Sequence, residues 1–430
     1  MLPERHVLLD IMKLVDFSFI KTEVRDLYSD VGRGSIDPER MFKMIFLMFF
    51  CNIPSERDLV EQVQVNVLYR YFCGINLDEK IPDHSSFTIF RQRLGKDHFK
   101  RLFNRVLTLC IGHGLVEGTH LSFDATMIKA NAAVPNKRNT HELLTDADKI
   151  IEKTFDNTSE GNKKELPLAA SDPDARWTKR KGKPAMLGYG AHISTDSKEK
   201  VITNIEVTPA NVRAYEPMVP MIDEQRQEHG IAVNEISADS EYSTGAVRKA
   251  LEEHSIDAYI PIRDTGHKNR PGMFSYEDFI YDKERDIVTC PGGNIMRFAQ
   301  EKLSGNTRSR VYRARRKDCL CCPFRDSCTT GKSSYRTIKI SEHYDIMQRA
   351  RMRNATSRYT EALRLRKILT EPKFAEAKRY HGLHRCRYRG LEQANIQGIL
   401  TAICINVKRL VNALLLRLQI PVFEEAFAYR

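Results

Sequence analysis

Tryptophan occurs once in 430 residues, at Trp177, and no apolar run approaches the roughly 20 residues that span a bilayer. The densest stretch, Met41 to Phe50 (MFKMIFLMFF), is interrupted by Lys43 and suits a buried helix. The opening MLPERHVLLD carries charges where a secretory leader needs an apolar segment, so the expected place is the cytoplasm, with no membrane partner. No internal repeat is present, which excludes repeat architectures. A convincing serine or tyrosine nucleophile motif is also missing, and attention moves to carboxylates and metals.

Acidic residues are outnumbered: 56 Asp and Glu face 68 Lys and Arg, a formal charge of +12. With 41% hydrophobic and 29% charged residues the chain reads as globular, and its basic excess favours an anionic polymer as partner, nucleic acid first. Basic residues cluster at Arg176 to Lys183 (RWTKRKGK), at Arg308 to Lys317 (RSRVYRARRK) and between Arg349 and Lys408.

Hydrophobic periodicity divides the chain into regimes. Residues 1–115 read as helical throughout, with Ser55 and Asp83 or Ser85 as N-caps. Short helices carrying Arg57, Arg70, Arg91, Arg93 and Arg101 suit a helix-turn-helix-like DNA reader, or a packing domain with a basic face. At His120 the segment LSFDAT alternates apolar and polar residues as a half-buried strand does. A polar stretch, 133–176, with a helix expected near Thr140 to Phe155, reads as an exposed insertion. Leu187 to Ser194 and Val201 to Val207 suit an antiparallel hairpin. A helix over Ala214 to His229, a strand ending at Asp239, a helix over Thr244 to His254 and a strand over Asp257 to Ile262 follow. Together these describe a mixed α/β sheet flanked by helices. From Arg263 to Lys339 the pattern collapses into Gly, Pro, Cys and basic residues, and helical periodicity returns from Ser341, ending in a long helix over Leu391 to Leu418.

Asp124 in SFDAT and Asp239 in SADSEY fall at strand ends, where sheets open onto ligand crevices, although such aspartates also form turns or caps. In RLRKILTEPKFAEAKRY, Thr370 is expected to cap a helix that tolerates Pro372 in its first turn and carries Glu371. Lys378, two turns on, shares nearly the same face, as do Lys367 and Arg364 if the helix extends backward; a solvated charged face is the plainer alternative. Three carboxylates suit phosphoryl transfer with two divalent ions, and hard oxygen ligands select Mg²⁺ or Mn²⁺.

The wording around these residues resembles the DDE transposases of bacterial insertion sequences, nearest the insertion-sequence 1182 type. The stretch MFKMIFLMFFCNIPSERDLVEQVQVNVLYRYFCGINLDEKIPDHSSFTIFRQRL resembles that family's N-terminal helical domain. LSFDATMIKANA and SADSEYS resemble its two aspartate blocks, GYGAHISTD and VTPANV its central strands, and Arg366 to Gly390 its glutamate block. The resemblance implies an RNase H-like fold, the triad Asp124, Asp239 and Glu371, and Lys378 as basic companion. The family's tyrosine and arginine, seven and four residues before the glutamate, are replaced here by Arg364 and Lys367. Glu376 lies about 200° around the helix from Lys378 and is set aside. The implied organisation is a helical DNA-binding domain at 1–115, an RNase H-like catalytic domain at 116–263 and 340–430, and a basic Cys-rich insertion at 264–339. The implied activity cuts element ends and joins the released 3′-hydroxyl to target DNA. The implied partners are double-stranded DNA, at the terminal repeats and at the target, and a second copy of the chain as a homodimer. A DNA-binding regulator without catalysis and a nuclease that cuts without joining are the rival readings.

Five of the ten cysteines lie between Cys290 and Cys328, spacing that in a reducing compartment reads as metal binding. Cys290, Cys319, Cys322 and Cys328 could enclose a structural zinc ion with Cys321 spare; unliganded buried thiols are the alternative. Trp177 could stack on an extruded base or simply pack. His192 lies near the expected site or only satisfies a hydrogen bond in the sheet.

Overall fold

The computed structural model describes residues 2–28, 35–132, 169–179, 182, 184–263, 272–305, 307–329 and 335–422. The helix expected near Thr140 to Phe155 lies outside them. Six helices open the chain: α1 (Val7–Leu14), α2 (Phe19–Glu23), α3 (Pro38–Phe50), α4 (Glu56–Val65), α5 (Val67–Cys73) and α6 (His84–Gly112). Ser55 and Asp83 cap α4 and α6 by accepting from the backbone N–H groups of Asp58 and Ser85. Inside α6, Gly95 takes φ +59° and breaks the helix, a conformation that suits a residue without Cβ. The apolar run Met41–Phe50 is buried as expected, with Phe17, Phe46 and Phe72 packed ring to ring.

These helices do not close around a core of their own. One cluster of buried residues runs from Val7 through α3 and α6 into the sheet at Tyr189, Ile193 and Val207 and on to Leu410. Two of the arginines offered as DNA readers are committed to this packing. Arg70, 6% exposed, donates to the carbonyls of Asn76, Leu77 and Glu79. Arg91, 4% exposed, pairs with Glu56, donates to Gln393 and stacks 3.7 Å from the Tyr388 ring. Arg57, Arg93 and Arg101 remain exposed.

The main sheet is built from β1 (His120–Lys129), β2 (Arg176–Thr178), β3 (Met186–Asp196), β4 (Ile202–Pro209), β5 (Glu235–Ser237) and β6 (Asp257–Tyr259). β4, β3 and β1 are mutually antiparallel, and β5 and β6 continue parallel to β1. The resulting order β4-β3-β1-β5-β6, with β2 on the start of β3, is the RNase H-like arrangement. Helices α7 (Met218–His229) and α8 (Gly245–Glu253) cover one face, burying Leu121, Phe123, Ile236 and Ala258.

The long C-terminal helix, Leu391–Arg417, is the one described helix long and apolar enough to cross a membrane, and 67% of its apolar window is buried inside the protein. It also covers the sheet edge. Asn395 exchanges two 2.8 Å hydrogen bonds with the backbone of Val207, and Asn406 two with Ile202. The spacing matches: eleven helical residues and five strand residues both advance by about 16.5 Å. Unpaired edge groups of β4 are thereby satisfied.

The expected irregular module contains regular structure. β7 (Ile280–Asp282), β8 (Ile287–Thr289), β9 (Ile295–Ser304), β10 (Thr307–Arg313) and β11 (Thr337–Ser341) form an antiparallel meander, accompanied by the short helices α9 (Arg316–Leu320) and α10 (Arg325–Cys328). Its strands escape a hydrophobic reading because β9 is exposed along almost its whole length. Then follow α11 (Tyr344–Asn354), α12 (Ser357–Tyr380) and the long helix already described, α13. No helix starts at Thr370: α12 begins at the Thr356 cap and runs through Pro372, while the Thr370 hydroxyl donates back to the Arg366 carbonyl.

Candidate active site

The site begins with the alternation along β1. Odd residues Leu121 and Phe123 enter the apolar core beneath α7 and α8, which places His120, Ser122, Asp124 and Thr126 on the opposite face. A half-buried strand would show that polar face to water. Here α12 packs over it, and His120, Ser122 and Thr126 are buried. Burial drives the His120 imidazole down to about 4, so it is neutral.

Asp124 sits in the middle of β1 and not at its end. What the two aspartates share is their place relative to the parallel pairing of β1 and β5, whose last residues are Ser122 and Ser237. Asp124 and Asp239 each lie two residues beyond that pair, on the same face, where β5 has turned away. Asp239 caps the following turn, its Oδ1 accepting from the Glu241 N–H at 2.8 Å. The two carboxylates feel each other. Burial pushes the Asp124 carboxyl up from its ordinary value, Arg366 and the Ala125 N–H pull it down, and the Asp239 charge pushes it up again. The buried Tyr242 phenol is pushed well up by burial and by both aspartates.

A cation already faces this pair. Arg366 of α12 donates from Nη2 to Asp124 Oδ2 at 3.2 Å, and the Thr370 hydroxyl, one turn on, adjoins the same carboxyl. Sequence reading passed over Arg366, Thr370 and Tyr242. The available signal was the i, i+4 spacing that puts Arg366 and Thr370 on one face of a helix.

Glu371 follows Thr370 and points about 100° around α12, on the exposed side of the same turn. Arg364 and Lys367 share its exposed face, as expected for a helix that extends backward. Lys378 is half-buried, two turns further on. The structure thus brings Asp124 and Asp239 together on one face and leaves Glu371 exposed on α12. Among the described residues no group of three or more His, Cys, Asp or Glu side chains is arranged to hold a metal ion. Glu376 faces elsewhere, paired with Lys408 at 2.9 Å and Arg409 at 2.6 Å. His192 is buried with Nε2 2.8 Å from Thr208 Oγ1, and burial drives it down to about 4. Trp177, on β2, packs half-buried against the main core.

The strand order, three antiparallel strands continued by two parallel ones, defines an RNase H-like fold, with Asp124 and Asp239 each two residues past the last pair that joins β1 and β5. Two family models match the chain: a transposase domain (DUF772) over residues 1–93 and a transposase DDE domain over residues 289–411. The chain belongs to the DDE transposases of the insertion-sequence type and is a DNA transposase. Enzymes of this family use divalent metal ions. No curated protein matches it. Among solved structures, a piggyBac transposase synaptic complex with hairpin DNA aligns at 12% identity over 98% of this chain and 78% of the other, with a TM-score of 0.39. A pre-cleavage Mos1 transpososome aligns at 11% identity over 56% and 65%, with a TM-score of 0.17. Likeness at those scores adds nothing to the family match.

Proposed function

We propose that Asp124, Asp239 and Glu371 hold the Mg²⁺ or Mn²⁺ ions with which this transposase cuts element ends and joins them to target DNA. The observation that carries the reading is the pair Asp124 and Asp239, each two residues past the last parallel pair of β1 and β5, with the Arg366 guanidinium against Asp124. Two like charges that raise one another's cost of ionisation favour a cation beside them. Their hard oxygen donors suit Mg²⁺ or Mn²⁺, and Glu371 directly follows Thr370 on the helix that carries Arg366.

When bound, the divalent ions activate the attacking oxygen and stabilise the leaving one. Asp124 and Asp239 supply fixed negative charge from the sheet, and Glu371 closes the site from the helix. Arg366, once released from Asp124, is free to turn toward the scissile phosphate, and Lys378 neutralises charge beside it. A water oxygen attacks the phosphodiester, the bond from phosphorus to the 3′-oxygen breaks, and the resulting 3′-hydroxyl attacks a target phosphodiester, whose own 3′-oxygen departs and is protonated to a hydroxyl. Exposed Arg364 and Lys367, on the face of Glu371, contact backbone phosphates and make binding salt-dependent. Two copies, one per element end, form the working unit, acting on double-stranded DNA in the cytoplasm.

Labelled element-end DNA and a target plasmid, incubated with the protein and Mg²⁺, test this. The expected result is joined product that disappears in Asp239→Asn, by on the order of a thousandfold, as several kcal/mol of charge stabilisation is lost. Cleavage without joining would indicate a nuclease and binding alone a regulator. Unchanged cleavage by Asp239→Asn would remove the site assignment.

A further inference from the structure

The meander of β7 to β11 has little to hold it. Its described core is Phe279, Val288, Met296, Tyr312, Ala314, Ile338 and Ile340. A unit of this size with so few buried apolar residues ordinarily needs a staple, either disulfide or metal. All ten cysteines are free thiols, so no disulfide supplies one.

Four of those thiols meet at one place. Cys290, Cys319, Cys322 and Cys328 line a cavity of about 20 Å³, together with Phe274, Phe324 and Arg336. A space of that size accepts a single ion or water-sized occupant. Cys321, the cysteine with the wrong spacing, is exposed and stays outside. The backbone at both ends is shaped to present sulfur. Cys290-Pro-Gly-Gly makes the tight turn between β8 and β9, with the Gly293 N–H donating to the Cys290 carbonyl at 2.8 Å and the Cys290 N–H donating to Asn294 at 3.0 Å. Gly293 takes φ +77° there. Across the cavity, Cys319 and Cys322 flank the end of α9, and Cys328 ends α10. Gly292 lies so near that a Cβ on it would come 3.3 Å from the Cys322 sulfur.

We propose that Cys290, Cys319, Cys322 and Cys328 bind one structural Zn²⁺ that staples the β8–β9 turn to the α9–α10 segment. Four thiolates in a tetrahedral shell with Zn–S bonds of about 2.3 Å suit this donor set, and the two-residue gap from Cys319 to Cys322 is a zinc-site spacing. The thiols line the cavity without yet forming a metal-binding group. The module's apolar residues Met296 and Tyr312 pack behind the cysteines, so the ion fixes the small core as well as the turns.

The test is zinc content of tag-free, full-length protein purified without added metal. The expected result is about one zinc per chain, kept in Cys321→Ser and in Asp124→Asn, and lost in Cys319→Ser/Cys322→Ser. Retention in Asp124→Asn separates this ion from any metal at the carboxylates. If the double variant is insoluble, the wild-type protein is titrated with a thiol-modifying mercurial, and zinc is expected to leave in step with modification of four thiols. Wild-type protein without zinc overturns the proposal, as does zinc that persists in the double variant or leaves independently of the thiols.

Discussion

The two sheets of this transposase share strand chemistry and differ in what surrounds them. The main sheet lies between α7 and α8 on one side and a continuous core reaching from Val7 to Leu410 on the other, and its β4 edge is sealed by Asn395 and Asn406. The smaller sheet leaves β9 open along most of its length and gathers cysteines where a larger core would stand. A strand buried on both faces is able to carry polar residues into a cleft and hold them there, as β1 holds Asp124. A strand that buries a single side chain, as β9 buries Met296, needs cross-linking to keep its place.

Substitutions in each region test how it is held. The largest expected effect is at Glu376, beneath the main sheet. Burial alone would push its carboxyl up, but Arg409 and Lys408 outweigh it and hold it below its ordinary value. Glu376→Ala leaves those cations, and the buried Lys373 beside them, without their counter-charge, a loss of about 3–5 kcal/mol in denaturant unfolding. Because the folded carboxyl is depressed, its contribution is present above the ordinary carboxylate range and fades as pH falls through the folded value. Wild type and variant should therefore converge in stability toward acid, and a constant gap down to low pH would refute the ion-pair account.

In the smaller sheet, Met296→Ala removes a fully buried side chain and is expected to cost about 2–5 kcal/mol locally. Hydrogen exchange should show the β8–β10 amides opening while those of β1 and β3 keep their protection. Equal loss in both sheets would mean that they unfold as one unit.

The smallest expected change has the opposite sign from Glu376. Burial raises the Asp124 carboxyl, so its favourable contribution belongs to low pH and is lost as pH rises through the folded value. Near neutrality the ionised group opposes folding. Asp124→Asn should raise the melting temperature slightly at pH 7 while removing strand joining; a lower melting temperature would show that Arg366 makes the charge a net stabiliser.

Much of this was legible in the sequence because it rests on local pattern. The alternation of LSFDAT, the hairpin through Ile193 and Ile205, the strand before Asp239 and the long helix from Leu391 follow from periodicity that tertiary packing did not override. What escaped depended on partners distant in the chain. Nothing local says that the polar face of β1 meets α12, that Arg366 reaches Asp124 across 242 residues, or that Arg70 and Arg91 turn inward to backbone carbonyls and to Glu56. The cap expected at Thr370 failed because one helix runs from Ser357 to Tyr380, with Pro372 inside it. Strands such as β9 gave no signal, since only Met296 of its ten residues is buried.

The assignment of the third carboxylate is the point on which the account turns. Strand joining measured side by side for Glu371→Gln and Glu376→Gln, together with thermal unfolding of each, separates the two glutamates. Joining is predicted to vanish in Glu371→Gln with the melting temperature unchanged, and to survive in folded Glu376→Gln with the melting temperature lowered. Joining that persists in Glu371→Gln and disappears from folded Glu376→Gln would contradict it.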